Sequence, residues 1–238
     1  VIRKLLVLGL TVSLLVIGPK WSHADDSDGF KKLFNGTDLT GWDGLMDFWT
    51  VKDGAIVGAE DKEHAAPQTF LIYKDAKFSD FELHYKYKFT TPEGNSGVQF
   101  RSKIYDEKNK SVGGYQADCD AKQQYDGGFY DEHGIAGGRG IMSNCGDKTT
   151  WDSDNKRHNE PLSESKDDLK KIIKVGDWND VVLIAKGNHI TYTINGHLTT
   201  EMIDESPKAL QEGVIALQLH HGFVMEVQFK DIEIKELK

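Results

Sequence analysis

Basic residues are in short supply in this chain: 29 Lys and Arg stand against 38 Asp and Glu, a net charge of −9. That balance argues against nucleic acid or an anionic membrane surface as a partner. Cysteine is nearly absent, with only Cys119 and Cys145. Their spacing lacks the further Cys or His that a zinc motif would need. A disulfide and two buried thiols stay equally open. Helical periodicity is weak, confined to about Ser165–Lys171 and Pro207–Leu210. No internal repeat and no linker divides the chain, so its 238 residues read as one large domain behind a leader.

The leader is the one long apolar run. Arg3 and Lys4 precede the nearly continuous apolar stretch Leu5–Gly18, and Ser22-His23-Ala24 places small residues at the cleavage-determining positions. This is the pattern of a secretory signal over residues 1–24, removed after Ala24. The alternative, a retained anchor, is disfavoured by a run shorter than the ~20 residues a spanning helix needs. Secretion or export to the periplasm is therefore expected, without a stable membrane anchor.

What is plentiful is glycine, 24 residues, and strand-like alternation. Phe81–Phe89 is apolar at every odd position and polar at every even one. Phe30–Phe34, Trp178–Ala185, His189–Ile194, His197–Thr200, Gly213–His220 and Met225–Leu237 read as further strands. Trp49–Val57 reads as a hairpin turning at Asp53-Gly54, and Asn195-Gly196 as a second tight turn. Trp151–Glu164, polar and unpatterned, reads as a surface loop. Many short strands at regular spacing predict an all-β antiparallel sandwich over residues 25–238.

Two strand patterns carry polar faces. In Asn95–Arg101, Val98 and Phe100 point one way, Gln99 and Arg101 the other. In Gly113–Asp120, Tyr115, Ala117 and Cys119 share the core face, and Gln116, Asp118 and Asp120 the opposite one. If these polar faces align, one sheet surface carries Gln, Arg, Gln and Asp together, which suits the hydroxyls of a sugar. The following loop, Tyr125–Gly134, adds Tyr130, Asp131 and Glu132 beside it. Gly137-Gly138-Arg139-Gly140 lacks the Lys-Ser/Thr of a phosphate loop and reads as a flexible turn, with Arg139 free to reach the site.

Several motifs together resemble one bacterial family. They are Phe34-Asn35-Gly36-Thr37-Asp38-Leu39-Thr40-Gly41-Trp42, Trp49–Ile56, Asn95-Ser96-Gly97, Gly114–Asp118, Trp178-Asn179, Ile194-Asn195-Gly196 and Gly213–His220. The family is that of the 3-keto-disaccharide hydrolases, also described as 3-keto-glucoside lyases and hydratases. The similarity runs over about residues 30–237. It implies a concanavalin A-like jelly-roll sandwich of two antiparallel sheets, export, and action on glycosides already oxidised at C3. Many members carry Tyr-Glu-x-Gln where this chain has Tyr115-Gln116-Ala117-Asp118. The acid is thus displaced by two positions along the same face.

A C3 ketone acidifies the proton on C2. Its removal by a base expels the anomeric substituent, and water then adds across the resulting glycal. Glu132 is the first candidate for the base. Asp118 is the alternative, or a partner that orients Arg101. Arg101, Gln99 and Gln116 are the candidate hydroxyl ligands. Tyr130 either donates to the leaving oxygen or stacks on the ring. His220 is a candidate acid, base or metal ligand. A divalent metal ion held by Asp118, Glu132 and His220 remains open, as no local ligand motif supports it. The competing reading is a non-catalytic, lectin-like carbohydrate-binding module, which needs amides and aromatics but no acid aimed at C2.

Overall fold

The structure, a computed structural model, describes residues 29–238; the expected signal segment lies outside the described residues. The chain enters through β1 (Lys31–Lys32), β2 (Trp42–Asp43), β3 (Trp49–Lys52), β4 (Ala55–Glu60), β5 (Thr69–Tyr73) and β6 (Phe81–Phe89). Next come β7 (Asn95–Asp106), β8 (Ser111–Asp120), β9 (Phe129–Glu132), β10 (Ile141–Ser143), β11 (Asp147–Trp151) and β12 (Arg157–Pro161). After the short helix α1 (Lys166–Ile172) follow β13 (Asn179–Lys186), β14 (His189–Ile194), β15 (His197–Asp204), β16 (Val214–Leu219) and β17 (Met225–Glu236).

Two sheets pack face to face, as the alternation predicts. A ten-stranded sheet runs β12-β11-β15-β14-β13-β6-β17-β4-β3, with β1 added beside β17. A seven-stranded sheet runs β10-β9-β8-β7-β16-β5-β2. All pairings are antiparallel except β11 with β15, which is parallel. The odd residues of β6 from Phe81 to Phe89 face the core, and the even ones are half-buried. Phe81, Phe100, Tyr115, Phe129 and Tyr192 are fully enclosed between the sheets. Asp53 and Gly54 both have positive φ (52° and 74°), as do Asn195 and Gly196 (51° and 87°). Those are the dihedrals of the tight hairpin turn that both dipeptides predict.

Three local expectations change. Trp151–Glu164 is not merely a loop: residues Arg157–Pro161 pair with β11 as an exposed edge strand. Its polarity follows from having water on both faces. Pro207–Leu210 is not helical, while Ser165 caps α1 by accepting from Asp168 N at 3.2 Å. Glu132 lies on a strand, β9, rather than in a loop.

One departure from regular sheet builds the site. The β7–β8 pairing shifts register between Phe100 and Lys103, where Arg101 adopts φ 48°. Gly114, with φ 138°, is where β8 bends; a Cβ there would sit 2.5 Å from Ser102 Oγ. Beyond this bulge the hairpin turns back over the outer face of its own sheet. Lys110 O accepts from Phe70 N on β5 at 3.0 Å. Val112 joins Phe70, Ile72, Val214 and Ala216 in a small second core. The apolar half of the outer face is thereby covered, and every residue of β8 is buried.

Candidate active site

The uncovered half of that face is polar. Gln99 and Gln116 are direct partners across β7 and β8, and Gln116 and Asp118 share a face two residues apart. Gly97 lies opposite Asp118, and a Cβ there would come within 2.6 Å of Gln116 Cγ. Its lack of a side chain is what lets the Gln116 amide lie across the sheet. Gln218 enters from β16, and Gln68 from the segment before β5.

These groups form one continuous chain of hydrogen bonds. Ser102 Oγ donates to Gln99 Oε1 at 2.7 Å, and Gln99 Nε2 to Gln116 Oε1 at 2.6 Å. Gln116 Nε2 then donates both to Asp118 Oδ1 at 2.6 Å and to Gln218 Oε1 at 3.2 Å. Gln218 Nε2 donates to Glu132 Oε2 at 3.0 Å, and Gln68 Nε2 to Glu132 Oε1 at 3.1 Å. His221 Nδ1 closes the chain 2.8 Å from Gln68 Oε1. Two carboxyl groups are thus linked through two amides.

Their environments differ. Burial raises the Asp118 pKa well above the usual carboxylate range; the Gln116 amide opposes this, and the nearby Glu132 charge adds to it. Burial also raises Glu132, and the Gln68 and Gln218 amides oppose that rise without cancelling it. Both Glu132 oxygens accept an amide N–H, which favours its ionised form. Asp118 has one oxygen so engaged and its Oδ2 without a partner among the described residues. Tyr130, half-buried opposite Gln116 on β9, has its pKa raised by burial and by the Glu132 and Asp118 charges, so it stays a proton donor. Asp118 and Glu132 are each 7 % exposed, and Gln99 and Gln218 are fully buried. The cluster is therefore nearly sealed, with Tyr130 and exposed His221 at its rim.

Arg101 is not part of this face. Positive φ at the bulge reverses its side chain, and the guanidinium is 1 % exposed. It donates to Ser79 O (2.7 Å), Gly187 O (2.6 Å), Leu210 O (3.3 Å) and Asp80 Oδ1 (2.9 Å). The expected pairing with Asp118 is replaced by one with Asp80; four of the five guanidinium N–H donors are used within the protein, and burial keeps the group from a substrate on that face. Arg139 is likewise structural: it pairs with Asp204 at 2.6 Å and lies over the Trp151 ring. Asp120 does not join the cluster, because its carboxylate accepts from Lys122 N and Tyr125 N and so ties down its own loop. His220 is half-buried, stacked on His221 and facing Phe223, with its pKa lowered by burial. Cys119 and Cys145 are both free and buried.

The donor set does not fit a metal ion. Three of the four carboxylate oxygens of Asp118 and Glu132 face amide N–H groups, which a cation would repel. Among the described residues no group of three or more His, Cys, Asp and Glu is placed to hold one.

Sequence reasoning missed Gln218, Gln68 and His221. Gln218 was recoverable by parity, because Val214, Ala216 and Gln218 share a face of β16. Gln68 and His221 sit in loops, where no periodicity marks them.

A polar, carboxylate-bearing outer face on a concanavalin A-like sandwich defines a class, the carbohydrate-active β-sandwiches. Similar solved structures share the sandwich. A candidate glycosyl hydrolase from Parabacteroides distasonis aligns with a TM-score of 0.57 at 19% identity, over 90% of this chain and 96% of that one. A carbohydrate-binding module, CBM66 of Bacillus subtilis, aligns at 0.54 and 17% identity, over 82% of this chain and 96% of that one. A protein of unknown function with a galectin-like fold, from Bacillus subtilis, aligns at 0.50 and 12%, over 83% and 90%. At these identities the likeness shows the fold. No curated protein matches in sequence. Residues 29–235 match the model of the 3-keto-alpha-glucoside-1,2-lyase-like domain, and the chain belongs to that family.

Proposed function

We propose that the protein is an exported enzyme that cleaves 3-keto-glycosides by elimination and hydration, with Glu132 as base and Asp118 as acid. The observation that carries this reading is the amide-linked carboxyl pair: burial raises both groups, Asp118 well above its usual range, while two amide N–H groups oppose the rise at Glu132 and one does so at Asp118. A carboxyl group kept protonated by burial can serve as acid, and one with more amide donors to its charged form can serve as base.

Glu132 takes the proton from C2, and the electron pair moves onto the C3 oxygen as an enolate. Tyr130, kept protonated, donates to that oxygen. As the enolate collapses the C1–O bond breaks, and Asp118 gives its proton to the leaving oxygen. The products are a 3-keto-glycal and the free alcohol. In the second half Asp118, now ionised, takes a proton from water while the water oxygen adds to C1. Glu132, its carboxyl proton exchanged with solvent between the two halves, then protonates C2. The net change is hydrolysis, with both groups restored. Gln99 and Gln116 keep the pair aligned, and Gln218 and Gln68 favour the ionised form of Glu132.

The test is turnover on a 3-keto-glucoside beside its unoxidised parent, in D2O. Release of 3-ketoglucose carrying deuterium at C2, from the oxidised substrate alone, supports the reading. Loss of turnover in Glu132→Gln and Asp118→Asn would assign the roles. If both variants kept full activity, the site assignment would be wrong. A lectin-like binding module is the second reading, favoured by how nearly sealed the amide network is. Binding of the sugar without turnover on a varied panel would make it the better account. Export rests on the leader pattern alone; detection of a mature chain beginning at Asp25 would test it.

A further inference from the structure

A groove of about 460 Å³ opens where β3 and β4 meet the loops 61–68 and 220–224, apart from the carboxyl pair. Its walls mix two chemistries. One is apolar: Phe48 is half-buried, with the His64 ring tilted against it at 4.5 Å and 31°, and Met46 and Val224 are exposed beside it. The other is acidic: Asp47, Asp61 and Glu226 line it with carboxylate oxygens, Glu60 lies beneath with both of its oxygens taken by Ala66 N and Phe223 N, and no Lys or Arg among the described residues lines it. Trp49, 3 % exposed, also lines it, and its indole N–H has no acceptor. Apolar ring faces beside carboxylate acceptors match a sugar, whose C–H face stacks while its hydroxyls donate. The negative charge selects against uronic or sulfated sugars.

The groove is connected to the site by direct contacts. Glu60 Oε1 accepts from Phe223 N at 2.8 Å, and the Phe223 ring meets His220 at 5.5 Å. His220 stacks on His221 at 5.0 Å, and His221 contacts Gln68, the donor to Glu132. A chain of sugars leaving the carboxyl pair across the 220–224 loop would enter this groove.

We propose that the groove is a secondary subsite for neutral hexose units, so that the natural substrates are oligosaccharides longer than a disaccharide. The link to turnover rests on the lyase reading above; the binding does not. The experiment is calorimetric titration of the wild type, Phe48→Ala and His64→Ala with maltotriose, cellotriose and trigalacturonic acid. Turnover of methyl 3-keto-glucoside is measured in parallel. At least one neutral trisaccharide is expected to bind the wild type, and Phe48→Ala to weaken it about tenfold, the loss of one ring-stacking contact. His64 is exposed, so His64→Ala tests the same platform without risk to the core. Trigalacturonic acid is expected to bind far more weakly, and both variants to turn over the small glycoside like wild type. Absence of binding by both neutral sugars would overturn the proposal. So would binding indifferent to both substitutions, or equal affinity for the acidic sugar. Trisaccharide binding without any turnover in wild type would sink the lyase reading and leave the subsite standing.

Discussion

Asp126 offers the most quantitative test of how this sandwich handles buried charge. The residue sits 3 % exposed beneath the loop that follows β8. Tyr87 OH and Asp120 N both donate to its Oδ1, at 2.9 and 3.1 Å, while Oδ2 is buried without a partner. Burial, reinforced by the Asp120 charge, raises its pKa from 3.8 to about 8. The folded state therefore binds this proton more tightly than the unfolded chain does. Stability from the group is complete below about pH 4 and is lost as pH rises, until the folded form itself ionises near pH 8. Between pH 6 and pH 8 the unfolded residue is ionised and the folded one still protonated. Two pH units at ~1.36 kcal/mol each give a loss of about 2.7 kcal/mol. Asp126→Asn keeps the Oδ1 acceptor and cannot ionise. Urea unfolding at pH 6 and pH 9 should show the wild type losing about 2–3 kcal/mol more than the variant. Parallel losses in the two proteins would refute the account of Asp126 as a buried neutral acid.

Other predictions follow from the bulge and the network. Arg101→Met should cost roughly 3–5 kcal/mol in denaturant unfolding, since it strands Asp80 and three carbonyls; undiminished stability with a raised KM would restore Arg101 as a substrate ligand. Gly114→Ala should cost about 1–3 kcal/mol, because its Cβ would meet Ser102 in a backbone region that other residues rarely adopt; an unchanged melting profile would contradict this. Gln218→Met removes an amide that favours ionised Glu132, so the rising limb of kcat/KM against pH should move to higher pH. A limb that stays put would separate Glu132 from the titration. EDTA should leave turnover unchanged, since amide donors face the carboxylates where a cation would need oxygens; a chelator-sensitive rate restored by a divalent ion would overturn that reading.

The sequence by itself determined the sandwich class and the strands with a clean alternation. The repeat of two in Phe81–Phe89 and His189–Ile194 is local and survives into the structure with the same boundaries. The turns at Asp53-Gly54 and Asn195-Gly196 were equally legible, since those residue types tolerate positive φ. Parity also placed Gln99, Gln116 and Asp118 on one face, and the family was recognisable from motifs spread along the chain. Tertiary structure alone decided the rest. Parity assumes regular strand, and one residue at φ 48° ended that assumption at Arg101, turning a presumed sugar ligand into a buried anchor. The same bulge folded the β7–β8 hairpin over its own sheet and brought Glu132 of β9 to Gln218 of β16, although β8 and β7 lie between those strands. Gln68 and His221 joined from loops whose positions follow from where the two sheets end. Side-chain alternation is fixed by neighbours in the chain, whereas a bulge and the bend that follows it are fixed by what the whole sheet must cover.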